Sequence, residues 1–150
     1  MFQNQIEDSG PRGSFFVIII VMRNKVHYEE TGTSKPRPHE RKLAETIAEC
    51  FQSDIIFLRR RSSQTPDIYV LKTNLRWELK SPIGRGKRTI QNNLRGIERQ
   101  SENVIIDLSR SKLSDDRAVS RAKEFLRTER NKIKRLKILL KTGEIIDIKG

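Results

Sequence analysis

PDIYVLKTNLRWELK, residues 66–80, is the stretch on which the fold turns. It alternates as two short strands do, with Asn74 and its neighbours as the turn between them. Side chains in a strand alternate faces. Ile68 and Val70 therefore point away from Asp67, Tyr69 and Leu71. In the second strand Trp77 and Leu79 share one face. Glu78 and Lys80 share the other, about 6.6 Å apart along the strand. If the strands pair as a hairpin, Asp67 near the start of one lies across from Glu78 and Lys80 near the end of the other. Three charged groups then converge at one end of a sheet.

Two carboxylates placed together repel, and a half-buried pair needs a cation to offset the cost. Lys80 supplies one positive charge. A hard divalent ion supplies more, and Mg²⁺ commonly takes one or two carboxylates plus waters and substrate phosphates. Such an ion activates water and stabilises charge on a phosphoryl oxygen. Asp67 and Glu78 are the expected metal ligands, for Mg²⁺ or for Mn²⁺ or Zn²⁺, with Lys80 orienting or polarising the attacking water. Pro66-Asp67 followed by Glu78-x-Lys80 resembles the PD-(D/E)xK nuclease superfamily. The motif is short and its gap is free. A solvated strand face with a surface ion pair of little energetic weight answers to the same letters.

Outward from the hairpin the periodicity changes. Residues 39–52 read as a helix, with Ala44, Ile47, Ala48 and Phe51 at helical spacing. Residues 54–60 read as a strand before the hairpin. Residues 87–102 carry Ile90, Leu94 and Ile97 on one helical face. NVIIDLS, residues 103–109, is almost wholly apolar and reads as a central strand. A further helix is expected to be capped by Ser114, and a closing hairpin turns at Thr142-Gly143. The order α-β-β-β-α-β, then α-β-β, predicts an α/β fold with a mixed central sheet flanked by helices. The superfamily resemblance implies the restriction-endonuclease-like version of that core, extended by a C-terminal helix and hairpin. Residues 39–150 form this expected domain. Residues 1–38 read as an N-terminal extension with a buried strand at FFVIIIVM, residues 15–22, and the Pro-rich linker TGTSKPRP.

The leading helix should offer a glutamate to the site. At about 100° per residue, Glu40 falls on the direction of Ala44, Ile47 and Phe51, whereas Glu45 and Glu49 point away. Glu40 is therefore favoured over Glu45 as the helix acid. The plainer role for it is to stabilise the helix N-terminus. On the second helix Arg88, Asn92, Arg95 and Arg99 lie opposite the apolar stripe. That basic face suits a phosphate backbone, although an ordinary solvated face has the same spacing. SPIGRGKR, directly after Lys80, adds two glycines and three basic residues. Arg85, Lys87, Arg88, Asn92 and Arg95 are the expected substrate-binding residues. Arg59, Arg60 and Arg61, with Lys132, Lys134, Arg135 and Lys137, extend the positive field or merely solvate the surface.

The composition agrees with such a partner. Lys and Arg total 31 against 19 Asp and Glu, a net charge of +12. Contacts to phosphate release counterions and supply affinity without sequence information, so nucleic acid comes first among partners. Cys50 is the only cysteine, which excludes an internal disulfide and a Cys-rich zinc site. FFVIIIVM is far shorter than the roughly 20 residues of a membrane-spanning helix. It also lacks the positive region that precedes a secretory core, so neither membrane insertion nor a signal peptide is expected.

From the Glu78-x-Lys80 strand onward the likeness narrows. The serine-proline-glycine loop, the Thr89-Ile90 helix start, the Gln100-Ser101 ending and NVIIDL resemble the C-terminal tRNase domain of bacterial contact-dependent growth inhibition toxins over residues 39–148. The resemblance implies a metal-dependent nuclease that cleaves tRNA in the bacterial cytoplasm, delivered as part of a larger toxin and blocked by an immunity protein, here an acidic one. By motif, Asp67 and Glu78 would hold the metal and Lys80 would assist the nucleophile. A DNA endonuclease of the same fold and a non-catalytic nucleic-acid-binding module are the alternatives.

Overall fold

The computed structural model describes residues 24–29, 36–58 and 65–150. Among them seven strands build one sheet, adjacent in chain order: β1 (Val26–Tyr28), β2 (Ile55–Phe57), β3 (Ile68–Val70), β4 (Leu75–Lys80), β5 (Asn103–Asp107), β6 (Arg135–Leu139) and β7 (Ile145–Lys149). The sheet is mixed. β2–β3, β3–β4 and β6–β7 are antiparallel, while β1–β2, β4–β5 and β5–β6 are parallel. The helices are α1 (Pro38–Phe51), α2 (Thr89–Leu94) and α3 (Asp115–Thr128). The α-β-β-β-α-β order, the added helix and the closing hairpin are those the sequence led us to expect. No helix among the described residues is long and apolar enough to cross a membrane.

Two apolar layers hold the sheet. Leu43, Ala44, Ile47 and Ala48 of α1 pack with Ile55, Ile68, Val70 and Trp77 on one face. Ile90 and Leu94 of α2 and Ala118, Ala122 and Phe125 of α3 pack with Val104, Ile106, Leu136 and Ile138 on the other. Each large side chain fully buried in this way contributes about 1.5–3 kcal/mol. All five residues of β5 are buried. A strand covered on both faces has no polar side to show, which is why NVIID lacks alternation.

Local chemistry sets the connections. Asn74, at φ 54°, supplies the left-handed residue of the β3–β4 turn, and the Tyr69 hydroxyl donates to its Oδ1 at 2.7 Å. The Leu71 amide donates to the Asp54 carbonyl, and the Lys72 amide to Ser53 Oγ, so the turn is tied to the entry of β2. Asp54 also anchors the edge strand β1. Its carboxylate accepts from the Lys25 amide and bonds the His27 ring, both at 2.9 Å. The Lys25 amide, and then His27, hold the Asp54 carboxyl below its usual range.

Several elements differ from expectation. β2 and β3 are three-residue segments within the strands expected at 54–60 and 66–72, of which residues 59 and 60 lie outside the described residues. Val26–Tyr28, within the stretch assigned to the N-terminal extension, is a sheet strand. FFVIIIVM lies outside the described residues, as do Arg59, Arg60 and Arg61. Ser114 stands at the N-cap of α3, but its hydroxyl makes no capping bond. The acidic first turn, Asp115 and Asp116, supplies the favourable charge there.

The helix expected over 87–102 is broken. α2 ends at Leu94, Arg95 is extended, Gly96 takes φ 77°, and a single 3₁₀ turn covers Ile97–Arg99. Ile97 is still buried, now through the turn. A Cβ at residue 96 would touch nothing within 4 Å, so only the backbone conformation demands glycine there. Gly96→Ala is expected to cost about 1 kcal/mol through the left-handed φ alone. Chemical denaturation would check this; an unchanged midpoint would show that the turn relaxes freely.

Candidate active site

The hairpin register decides which groups meet. Ile68 pairs with Trp77 and Val70 with Leu75. Just before β3 the register slips, and the Asp67 amide donates to the Trp77 carbonyl at 3.1 Å. β3 goes no further, and Glu78, Leu79 and Lys80 run on beside β5, opposite Val104, Ile105 and Ile106. The end of β4 therefore has β5 on one side and Asp67 on the other. Ladder bonding by β3 stops at this point. The Asp67 carboxylate takes over, its Oδ2 accepting the Leu79 amide at 2.9 Å. A side chain thus does the work of a missing backbone carbonyl.

The faces follow from the same pairing. Trp77 and Leu79 pack in the α1 layer. Glu78 and Lys80 point the other way, beside Val104 and Ile106 of the α2–α3 layer. Glu78 is 2% exposed. Lys80 Nζ donates to Glu78 Oε1 at 2.6 Å and to Gln100 Oε1 at 3.2 Å. A carboxylate so deeply buried is tolerable only with charge and hydrogen-bond partners. Lys80, whose side chain is 26% exposed, is one of them and reaches solvent at its edge.

Glu40 belongs to a different setting. Its Oε2 accepts from the Arg37 amide at 2.7 Å, which closes the first turn of α1. The buried side of α1 packs on the sheet face opposite to that of Glu78 and Lys80. Glu40 therefore has the helix-terminus role as its observed contact. Glu45 is exposed.

The basic residues divide. Arg85, Lys87 and Arg88 are exposed on the loop that leaves β4. That loop is rooted by Ser81, whose Oγ donates to Asp107 Oδ2 at 3.2 Å, and by the Lys112 amide, which donates to the Ile83 carbonyl. A Cβ at Gly84 would come within 2.8 Å of Thr89 Oγ1, so glycine permits this close approach of loop to helix start. Arg95 instead makes a two-pronged contact with Glu129 at 2.9 and 2.6 Å, and its third nitrogen donates to Asn92 Oδ1. The Glu129 carboxylate raises the already high Arg95 pKa, and Arg95 lowers that of Glu129. Asn92 and Arg95 thus join α2 to the end of α3. Lys134 pairs with Glu102, and Lys137 with Asp147.

Two residues at the site had no role in the sequence reading. Gln100 touches Lys80. Asp107, 2% exposed, accepts from Ser81 and from the amide and hydroxyl of Ser109. Both stand in the stretches that carry the toxin resemblance, and that was their only signal. Among the described residues no group of three or more His, Cys, Asp or Glu side chains gathers as a metal cage. Asp67 and Glu78 are the carboxylates that could hold a hard cation, an all-oxygen donor set. It fits Mg²⁺, which completes its shell with water and phosphate, better than Zn²⁺, which favours nitrogen and sulfur.

Comparison with known proteins agrees with this architecture. The family model described as contact-dependent growth inhibition CdiA C-terminal domain matches residues 64–145, more than half of the chain. A chain of the CdiA-CT/CdiI toxin and immunity complex from Burkholderia pseudomallei has a similar structure. Its TM-score is 0.59 at 14% sequence identity, covering 85% of this chain and 100% of that one. No curated protein matches.

Proposed function

We propose a nuclease function from one premise: the chain belongs to the contact-dependent growth inhibition CdiA C-terminal domain family, whose model spans the hairpin, α2, β5, α3 and β6. The reaction is hydrolysis of phosphodiester bonds in tRNA by a PD-(D/E)xK-type site. The observation that supports it is the Asp67 carboxylate bonded to the Leu79 amide, next in β4 to the buried Glu78 and to the Lys80 paired with it.

Each residue has a task in this reading. Asp67 and Glu78 would hold Mg²⁺, which supplies Lewis-acid stabilisation of charge on the phosphoryl oxygen. Lys80 holds the attacking water and offsets negative charge as it develops on the phosphate. Arg85, Lys87 and Arg88 grip flanking phosphates from a loop rooted beside the site. Asn92 and Arg95 contribute through the α2–α3 junction, since the Arg95 fork is occupied by Glu129. Glu40 is left to the α1 terminus. The net charge of +12 supports a polyanionic substrate. It also supports an acidic immunity protein as inhibitor, in keeping with the toxin and immunity complex of the structural relative. Delivery would be as part of a larger toxin.

Purified protein incubated with total tRNA and with plasmid DNA, in Mg²⁺ or in EDTA, tests this. Cleavage of tRNA in Mg²⁺ and none in EDTA is the expected result. Cleavage of plasmid alone would make the site a DNA endonuclease. Cleavage of neither, with retained binding, would leave a nucleic-acid-binding module.

A further inference from the structure

The geometry points to Gln100 as the residue that positions Lys80 for the reaction; this rests on the nuclease reading above. Lys80 is the hub of the polar cluster. Its ammonium has three N–H donors. One goes to Glu78 Oε1 at 2.6 Å and one to Gln100 Oε1 at 3.2 Å. The third has no protein acceptor among the described residues, and the Lys80 side chain is partly open to solvent. With Glu78 alone, the ammonium would pivot about a single short ion pair. A second acceptor from another element fixes the remaining N–H toward the open side, where a water or a phosphate oxygen would sit.

Gln100 is itself well held. Ile97, three residues earlier, is buried in the α2–α3 layer. The Gln100 amide donates to the Ile97 carbonyl at 2.7 Å and the Ser101 amide to the same oxygen at 3.0 Å. The Ser101 hydroxyl and the Asn103 side chain both donate to the Arg76 carbonyl of β4. The turn carrying Gln100 is therefore fastened to the strand that carries Lys80. Arg95 and Glu129 secure its other side. This arrangement exists because α2 breaks at Gly96. On an unbroken helix at about 100° per residue, Gln100 would stand roughly 90° from the stripe of Ile90, Leu94 and Ile97. A glutamine on rigid supports contributes through orientation, and small misplacements of a reacting group are costly.

The test is a double-mutant cycle on tRNA cleavage, combined with NMR of the lysine ammonium groups. Gln100→Met keeps length and removes the acceptor. It is expected to lower kcat about 10-fold with KM within about twofold of wild type. Gln100→Glu, which keeps an oxygen at the same reach, should recover most of the loss. In a Lys80→Met background the Gln100→Met change should cost nothing further, the sign of coupling between the two residues. An equal loss with and without Lys80 would overturn the proposal. The NMR arm needs no activity. Gln100→Met should convert a restricted Lys80 ammonium into a freely rotating one, and an unchanged Lys80 signal would overturn the proposal. Absence of cleavage by the wild-type protein would count against the nuclease reading and leave the NMR result to decide the Gln100 contact.

Discussion

Glu78→Gln is expected to lower tRNA cleavage by about 1000-fold or more, the loss of roughly 4 kcal/mol of transition-state stabilisation, with the fold intact. The substitution conserves volume at a site that is 2% exposed. It leaves Lys80 an oxygen to donate to and removes only the negative charge. If that charge holds a cation against the scissile phosphate, chemistry stops while packing does not. Asp67→Asn makes the matching case, because its amide oxygen still accepts the Leu79 amide. Asp67→Ala would add the cost of an orphaned backbone donor, about 1–3 kcal/mol, and confuse the two effects. Single-turnover cleavage beside a thermal melt reads both quantities. Near-normal rates in either amide variant would remove these carboxylates from the mechanism.

Lys80→Met has the second large effect, and it falls on stability as well as on rate. Removing Glu78 leaves an ammonium that reaches water, since the Lys80 side chain is 26% exposed. Removing Lys80 takes one cation away from a carboxylate whose side chain is 3% exposed. Breaking a buried pair from that side costs about 3–5 kcal/mol. The cleavage rate is expected to fall about 100-fold or more, as for loss of a group that assists proton transfer. Affinity for tRNA should stay within about twofold, because the phosphate grip belongs to the loop at Arg85, Lys87 and Arg88. Urea denaturation and a gel-shift titration separate these outcomes. An unchanged urea midpoint would mean that Glu78 is held chiefly by other groups. A matching loss of binding would move Lys80 from chemistry to substrate attachment.

Family membership and the candidate site fall in the same stretch of the chain. The family model covers residues 64–145 and so includes the hairpin and Gln100, but not α1. Glu40 therefore rests on helical spacing alone, and the hydrogen bond it makes is a capping one. A wheel locates a residue on a helix face. It does not say which face of a sheet that helix covers, and α1 covers the side away from Glu78.

Much of the architecture was readable in the order of residues, because its causes are local. Alternation in residues 66–80 set the two faces of the hairpin, and the tolerance of Asn74 for a left-handed backbone set its turn. An apolar run without alternation marked β5 as covered on both sides. Periodic spacing marked α1. The pairing of Glu78 with Lys80 followed from the same alternation, since residues two apart in a strand share a face.

What needed the tertiary structure were the partnerships between groups far apart in sequence. Arg95 reads as a phosphate ligand by spacing, but Glu129 at the end of α3 occupies its fork. Gln100 had no periodic signal, because the break at Gly96 turns it toward Lys80 and a break obeys no period. Asp107 carried no signal of its own, because its partners Ser81 and Ser109 meet it only when β4 and β5 lie side by side. Backbone preference and side-chain alternation act within a few residues, so the sequence alone determined the order of the main elements and the shared face of Glu78 and Lys80. Which acceptor a cation finds depends on how those elements dock, and only the packed chain decides that.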